Sequence, residues 1–229
     1  MTFAIDTEVY SYSVNVIFVT HAISTKDKFV SFLNSYSGNK SNVENNMSNT
    51  YYAVLTTDID LTGVILPSKS YNNDRFFGKF NGLGHCIKNP TVNATGGIFG
   101  GLQNCTIENL AIDGVNITKT YASYAIFAGY LYPGAKVSNV YVNANIEQLT
   151  FYRGLFYNQT NGTLSNIVAR LTYGSNNNAE NKYVFGLSDI YNKTSHVYAI
   201  GNATAYCGIF DESSNSYVCL LYTSPSPRD

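Results

Sequence analysis

The sequence contains no tryptophan, two methionines and five prolines, and only 13% of its 229 residues are charged. Globular domains ordinarily have about 25% charged residues, so we expect a surface of mainly neutral polar groups. The net charge is −1 and no basic run occurs, which argues against nucleic acid as a partner. The longest apolar stretch near the start, residues 14–20, is too short to cross a bilayer, so membrane insertion is not expected.

The end of the chain has an unusual composition. Its last eleven residues, CLLYTSPSPRD (219–229), resemble the in-frame translation of an adaptor used in transposase-made sequencing libraries. We therefore expect residues 219–229 to be a non-native tail and the chain to be a metagenomic fragment whose natural sequence stops near Val218. Cys219 is then not a biological cysteine.

Cysteine is scarce in the rest of the chain. Cys86, Cys105 and Cys207 have no zinc-like spacing. Cys86 and Cys105 each follow a marker phenylalanine by six residues, which is compatible with stacked neighbours and a disulfide. Counting from the asparagine markers shifts them by one residue, so buried small packing residues are the favoured interpretation.

Phenylalanine recurs at near-constant spacing. Tyrosine (20 residues) and glycine (18) are abundant, which favours strands and turns over helices. Five similar segments, GIFGG, AIFAG, GLFYN, YVFGL and GIFDE, follow one another at spacings of 28, 29, 29 and 25. Their marker residues are Phe99, Phe127, Phe156, Phe185 and Phe210.

A second marker follows the first three phenylalanines by ten to twelve residues. The second markers of these three units are Asn109, Asn139 and Asn166, and His196 lies at the equivalent point of the fourth unit. Each second marker precedes a strand of alternating apolar residues. A shorter unit upstream, GKFNGLGHCIKNPTV, has the same order of parts, with Phe80 and Asn89 as its expected markers.

This periodicity predicts an all-β fold, a parallel β-helix or β-solenoid of five to six coils over residues 51–218. Successive coils lie about 4.8 Å apart, so equivalent residues form columns. We expect the phenylalanines in one internal column and the asparagines at a bend. An antiparallel sandwich is the alternative, but it gives no reason for a marked aromatic residue to repeat.

The chain before the repeats predicts a cap for the solenoid. Phe29, Phe32, Leu33 and Tyr36 have helical spacing, and residues 24–50 are expected to form a short capping helix and a polar loop. Residues 1–23 alternate as strands and are interpreted as the possible end of an upstream domain.

The segments YYAVLTTDIDLTG, FFGKFNGLGHCIKNPTV and GIFGGLQNCTIENLAI resemble the coils of right-handed parallel β-helix proteins with GLUG-type repeats. These are secreted or surface-attached bacterial proteins, including adhesins, and pectate lyases share the superfold. The resemblance covers residues 24–142, with departures after Phe127 and Phe156. It implies a right-handed β-helix in an extracellular or cell-surface setting, whereas the fold leaves the function open.

Two classes of function remain. The favoured one is a non-enzymatic structural or binding module, adhesin-like, that contacts a glycan or a host or cell-surface protein. The alternative is an N-terminal fragment of a β-helix polysaccharide lyase or glycoside hydrolase, or of a phage tailspike-like depolymerase.

No catalytic, metal or cofactor residues are predicted. Asp58 and Asp60 lie two apart and could begin a calcium site, but solvated turn residues are the favoured interpretation. Exposed tyrosine rings in the middle coils could stack on sugars. The candidate glycan contacts are Tyr130, Tyr132, Tyr141, Tyr157 and Tyr173.

Overall fold

The structure is a computed structural model, and it describes residues 2–5, 8–11, 18–38, 51–92, 96–117, 124–146, 153–159, 162–173, 194–201, 210–211 and 216–217. One helix and sixteen strands occur in this part of the chain. They are β1 (Thr2–Ile5), β2 (Glu8–Ser11), β3 (His21–Ile23), α1 (Lys26–Ser35), β4 (Tyr52–Leu55), β5 (Ile59–Asp60), β6 (Arg75–Asn81), β7 (Cys86–Lys88), β8 (Thr91–Val92), β9 (Gly101–Ile117), β10 (Tyr124–Leu131), β11 (Lys136–Ile146), β12 (Arg153–Gln159), β13 (Thr163–Tyr173), β14 (Thr194–Gly201), β15 (Phe210–Asp211) and β16 (Ser216–Tyr217).

The main sheet is parallel throughout and has the order β3-β4-β6-β9-β11-β13-β14. Strand β5 pairs with β7, β7 pairs in turn with residues 111–113 of β9, and β10 pairs in parallel with β9 and β12. Consecutive strands thus stack coil on coil, and the predicted parallel β-solenoid is confirmed.

The solenoid has about four turns, fewer than the five to six expected. One reason is that β15, which contains Phe210, pairs antiparallel with β16 and does not add a parallel rung. Phe185 lies outside the described residues. Strands β1 and β2 also form a separate antiparallel pair.

The predicted phenylalanine column is present. Phe80, Phe99, Phe127 and Phe156 are all buried. Their ring centroids follow one another at 5.4, 5.0 and 5.6 Å, which is within the range of favourable aromatic contacts. Burying a ring of this size stabilises the fold by roughly 2–3 kcal/mol, so the column is a main source of stability along the axis.

The asparagines form a ladder at the first bend. Asn109, Asn139 and Asn166 have the same left-handed backbone, with φ of 54°. The side-chain amide of Asn139 donates to Asn109 Oδ1 (2.9 Å), and that of Asn166 donates to Asn139 Oδ1 (2.9 Å). The pairs Ser165–Ser195 and Ile167–Val197 flank Asn166 and His196, so the two residues occupy equivalent places in β13 and β14, as expected.

The expected marker of the first unit was wrong. Asn109 donates to Asn81, not to Asn89, at 3.2 Å. Asn89 lies at the next bend, where its amide donates to Asp60 Oδ1 (3.1 Å) and Thr62 Oγ1 (3.0 Å). Phe80 aligns with Ile107 and so lies directly before the first bend, which is why counting on from Phe80 passes that bend and reaches the second.

Helix α1 covers the end of the solenoid, as predicted. Thr25 caps it, since its hydroxyl accepts a hydrogen bond from the Lys28 amide (3.3 Å). Phe32 is fully buried, and its ring contacts Phe80 at 5.4 Å and Phe76 at 5.7 Å. The aromatic column therefore continues into the cap.

The two cysteines within the described part of the chain are unbridged. The bend at Asn109 separates a first face, made by β4, β6 and the start of β9, from a second face, made by β5, β7 and the part of β9 after the bend. Cys86 pairs with Ala111 on the second face, whereas Cys105 pairs with Gly78 on the first. Cys105 is buried, as the favoured interpretation predicts, whereas Cys86 is only partly buried. Burial raises the pKa of both thiols, which makes them poor nucleophiles.

Some predicted segments lie outside the described residues: the polar loop at 39–50 and the expected adaptor-derived tail at 219–229.

Strand β3 pairs in parallel with β4 and so precedes it in the main sheet. Among the residues that the structure describes, no helix is long and apolar enough to cross a membrane.

Candidate functional site

Three tyrosines form a stack on the side of the solenoid. Tyr130 and Tyr132 are two residues apart on an extended segment and so project to the same side. Their ring centroids are 5.3 Å apart with an interplanar angle of 25°. Tyr71 joins from an earlier coil, with its centroid 4.8 Å from that of Tyr130 at 26°. All three residues are partly exposed.

Arg75 completes this group. We call Tyr71, Tyr130, Tyr132 and Arg75 the tyrosine stack. Its guanidinium carbon lies 3.9 Å from the centroid of the Tyr132 ring, and its Nη1 donates to Gln103 Oε1 (2.9 Å). The Tyr132 hydroxyl donates to Asn72 Oδ1 (3.1 Å). Burial raises the pKa of Tyr132, so its hydroxyl remains a donor at neutral pH.

Two glycines make room for the tyrosine stack. Register places Gly101 between Arg75 on one neighbouring strand and Tyr130 on the other. A Cβ at Gly101 would overlap the Tyr71 carbonyl, and one at Gly129 would overlap the Tyr71 side chain. The glycines therefore allow rings from separate coils to come together.

The structure brings together two of the five tyrosines predicted from sequence, Tyr130 and Tyr132. Tyr141 is partly exposed in β11, but it pairs with Ala111 and Val168 and lies apart from the tyrosine stack. Tyr157 lies in β12 and Tyr173 in β13, and their side chains are outside the described ones.

Sequence reasoning missed Tyr71 and Arg75. Both precede the region in which tyrosine recurs, and no local pattern links them to residues about sixty positions later. The spacing of Tyr130 and Tyr132 was the available signal, because residues two apart on a strand share a face.

A groove of about 580 Å³ crosses the first face of the solenoid. Its lining includes one outward column that runs from coil to coil. The strand register aligns Tyr52 with Lys79, Lys79 with Thr106, and Thr106 with Lys136. These four residues are called the lysine column. Phe18, which is 89% exposed, lies at one end of the groove.

The lysine column carries two positive charges. Lys79 lies 2.7 Å from Glu108 and 5.5 Å from the centroid of the Tyr52 ring. The hydrogen bond to Glu108 raises the pKa of Lys79. Lys136 is exposed and makes no salt bridge with any residue in the described ranges.

Asp58 and Asp60 each have protein partners. Lys88 lies 2.9 Å from Asp58 Oδ2, and the Cys86 amide donates to Oδ1 (3.0 Å). The hydrogen bond from Lys88, followed by that from Cys86, lowers the pKa of Asp58 to about 2. Asp60 accepts from the Thr62 amide (2.9 Å) and stabilises a turn. The two carboxylates therefore bind different protein groups. The described residues contain no group of three or more acidic, histidine or cysteine ligands placed to hold a metal.

The stacked parallel sheet defines the class of protein, a parallel β-solenoid. Comparison with protein-family models, curated proteins and solved structures found no match.

Proposed function

We propose that this chain is a non-enzymatic structural or binding module of an extracellular or cell-surface protein, adhesin-like, with the tyrosine stack as a glycan contact. The resemblance to GLUG-type repeats supports the setting. The observation that carries the proposal is the row of partly exposed, stacked rings with an arginine at Tyr132.

The chemistry of the tyrosine stack suits a sugar. Because the rings stack on one another and Arg75 lies over Tyr132, a sugar would pack its C–H groups against the exposed edges of the rings, while hydroxyl and guanidinium groups offer hydrogen bonds. The rings are held by mutual stacking and by the Tyr132–Asn72 hydrogen bond, so little side-chain entropy is lost on binding. The rigid solenoid fixes the surface that a partner meets.

A glycan array probed with the wild-type chain and two Tyr130 variants tests this proposal. Tyr130→Ala removes the ring that contacts both other tyrosines, and we expect it to weaken binding about tenfold or more. Tyr130→Phe keeps the ring, and we expect it to retain most of the affinity. Ile65→Ala, at an exposed apolar residue elsewhere, is the control.

Circular dichroism must first show that each variant is folded. Equal binding by Tyr130→Ala and the wild-type chain would exclude the tyrosine stack as the contact. Tyr141, Tyr157 and Tyr173 remain further candidates that the same array can test one by one. The appearance of new chain ends in a bound polysaccharide would instead favour the lyase or hydrolase alternative.

A further inference from the structure

The fold sets the spacing between the two lysines of the lysine column. Lys79 and Lys136 both pair with Thr106, one from each side. Neighbouring strands of a sheet are about 4.8 Å apart, so two rungs separate the lysines by roughly 10 Å along the solenoid axis. This is close to the length of a disaccharide in an extended polysaccharide.

The groove suits a chain that lies along the axis. It crosses several coils, from Thr20 before β3 to Lys136 in β11. Tyr52 and Phe18 add aromatic surface at one end, beyond Lys79. A ligand lying along the column meets a ring, a cation, a hydroxyl and a second cation in that order.

We propose that the lysine column binds an anionic polysaccharide with one carboxylate per disaccharide, lying along the solenoid axis. Its carboxylates face Lys79 and Lys136, and the neutral sugar between them faces Thr106. This inference deepens the proposed glycan-binding function and rests on it, but it uses residues separate from the tyrosine stack.

Glu108 gives the column a preference for alternating charge. It follows Thr106 by two residues on β9 and so projects to the same side. Asn81 donates to its carboxylate (2.9 Å), and Lys79 pairs with it. A polymer with a carboxylate on every sugar would place one over Thr106, beside Glu108, where like charges repel.

Titration calorimetry with hyaluronan oligosaccharides, which carry one carboxylate per disaccharide, tests the site. We expect binding that weakens as salt is raised and a loss of roughly tenfold in Lys136→Gln. Lys136 is exposed, so the substitution should leave folding intact. Lys88→Gln, with the same change of charge on the second face, should bind as the wild-type chain does.

The charge pattern is tested with polygalacturonate, in which every sugar is acidic. We expect weaker binding than to hyaluronan fragments of equal length, and we expect Glu108→Gln to raise the affinity for polygalacturonate more than that for hyaluronan. Equal affinity for the two polymers in the wild-type chain would overturn the preference for alternating charge.

The site itself is overturned by three results: no hyaluronan binding, unchanged affinity in Lys136→Gln, or an equal loss in Lys88→Gln. Any of these together with array binding that depends on Tyr130 would leave the tyrosine stack standing. Hyaluronan binding that needs Lys136 but not Tyr130 would support the lysine column alone.

Discussion

At the scale of single residues, the asparagines of the first bend meet two requirements at once. The backbone there is left-handed, which costs most residues roughly 1–2 kcal/mol but is tolerated by asparagine. The side-chain amide also donates to the coil before and accepts from the coil after, as at Asn139. Glycine would satisfy only the first requirement.

Substitution of Asn139 separates these two contributions. Asn139→Gly keeps the backbone conformation and loses the ladder, so we expect it to lower the free energy of unfolding by about 1 kcal/mol. Asn139→Ala also strains the backbone, and we expect a loss of about 2 kcal/mol. Urea unfolding measures both, and an alanine variant as stable as the glycine variant would contradict the argument.

At the scale of elements, the capping helix is held at its C-terminal end by a buried lysine. Lys69 is 1% exposed. Its Nζ donates to the Leu33 carbonyl and to Ser37 Oγ (2.6 Å), and lies 4.2 Å from the centroid of the Tyr36 ring. A cation near the C-terminus of a helix is favourable. Burial nevertheless lowers its pKa from the ordinary 10.5 to about 8, because the charged form loses hydration.

This pKa gives the cap a pH dependence of definite sign. Between pH 8 and 10.5 the folded chain binds fewer protons at Lys69 than the unfolded chain does, so the free energy of unfolding from this group rises with pH. Below that window the cost of burying the charge is fully present. We expect the wild-type chain to gain stability over Lys69→Met as pH rises through the window, measured by urea unfolding.

Lys69→Met is the suitable reference because it keeps an unbranched side chain and cannot titrate. It also loses the two hydrogen bonds, so the variant's stability at one pH is less informative than the change with pH. Parallel stability profiles for the two proteins would show that Lys69 keeps its ordinary pKa in the fold.

At the scale of the whole molecule, the solenoid is coupled mainly between neighbouring coils. Each ring of the phenylalanine column touches the next one, as Phe127 touches Phe99 and Phe156. In such architectures stability is approximately a sum of coil and nearest-neighbour terms. A substitution that destabilises one coil should therefore destabilise the neighbouring coils most.

Phe127→Ala tests this coupling. We expect it to cost about 3–5 kcal/mol and to increase amide hydrogen exchange in β9, β10 and β12 before β4 at the capped end. Phe127→Leu, which keeps most of the volume, is the matched control and should show a smaller change in the same strands. Uniform loss of protection from β4 to β13 would indicate a single cooperative unit instead.

The repeat in the sequence was sufficient to predict the solenoid, its phenylalanine column and the bend asparagines. Those residues recur because equivalent positions of neighbouring coils stack on one another. Equal spacing in the sequence therefore predicts contact in the structure. The capping helix was predictable for a similar reason, since Phe29, Phe32 and Leu33 share one helical face. This logic failed in the first unit because Phe80 lies directly before the bend, aligned with Ile107, so Asn81 rather than Asn89 joined the ladder.

The sequence by itself thus determined the class of fold and its internal columns, because apolar periodicity dictates which side chains are buried. Only the tertiary structure decided what lies together on the outside. The placing of Tyr71 beside Tyr130, and of Lys79 and Lys136 on either side of Thr106, depends on the register between coils. That register depends on loop lengths and on irregularities such as the one between Phe76 and Gly78, which no short-range pattern specifies.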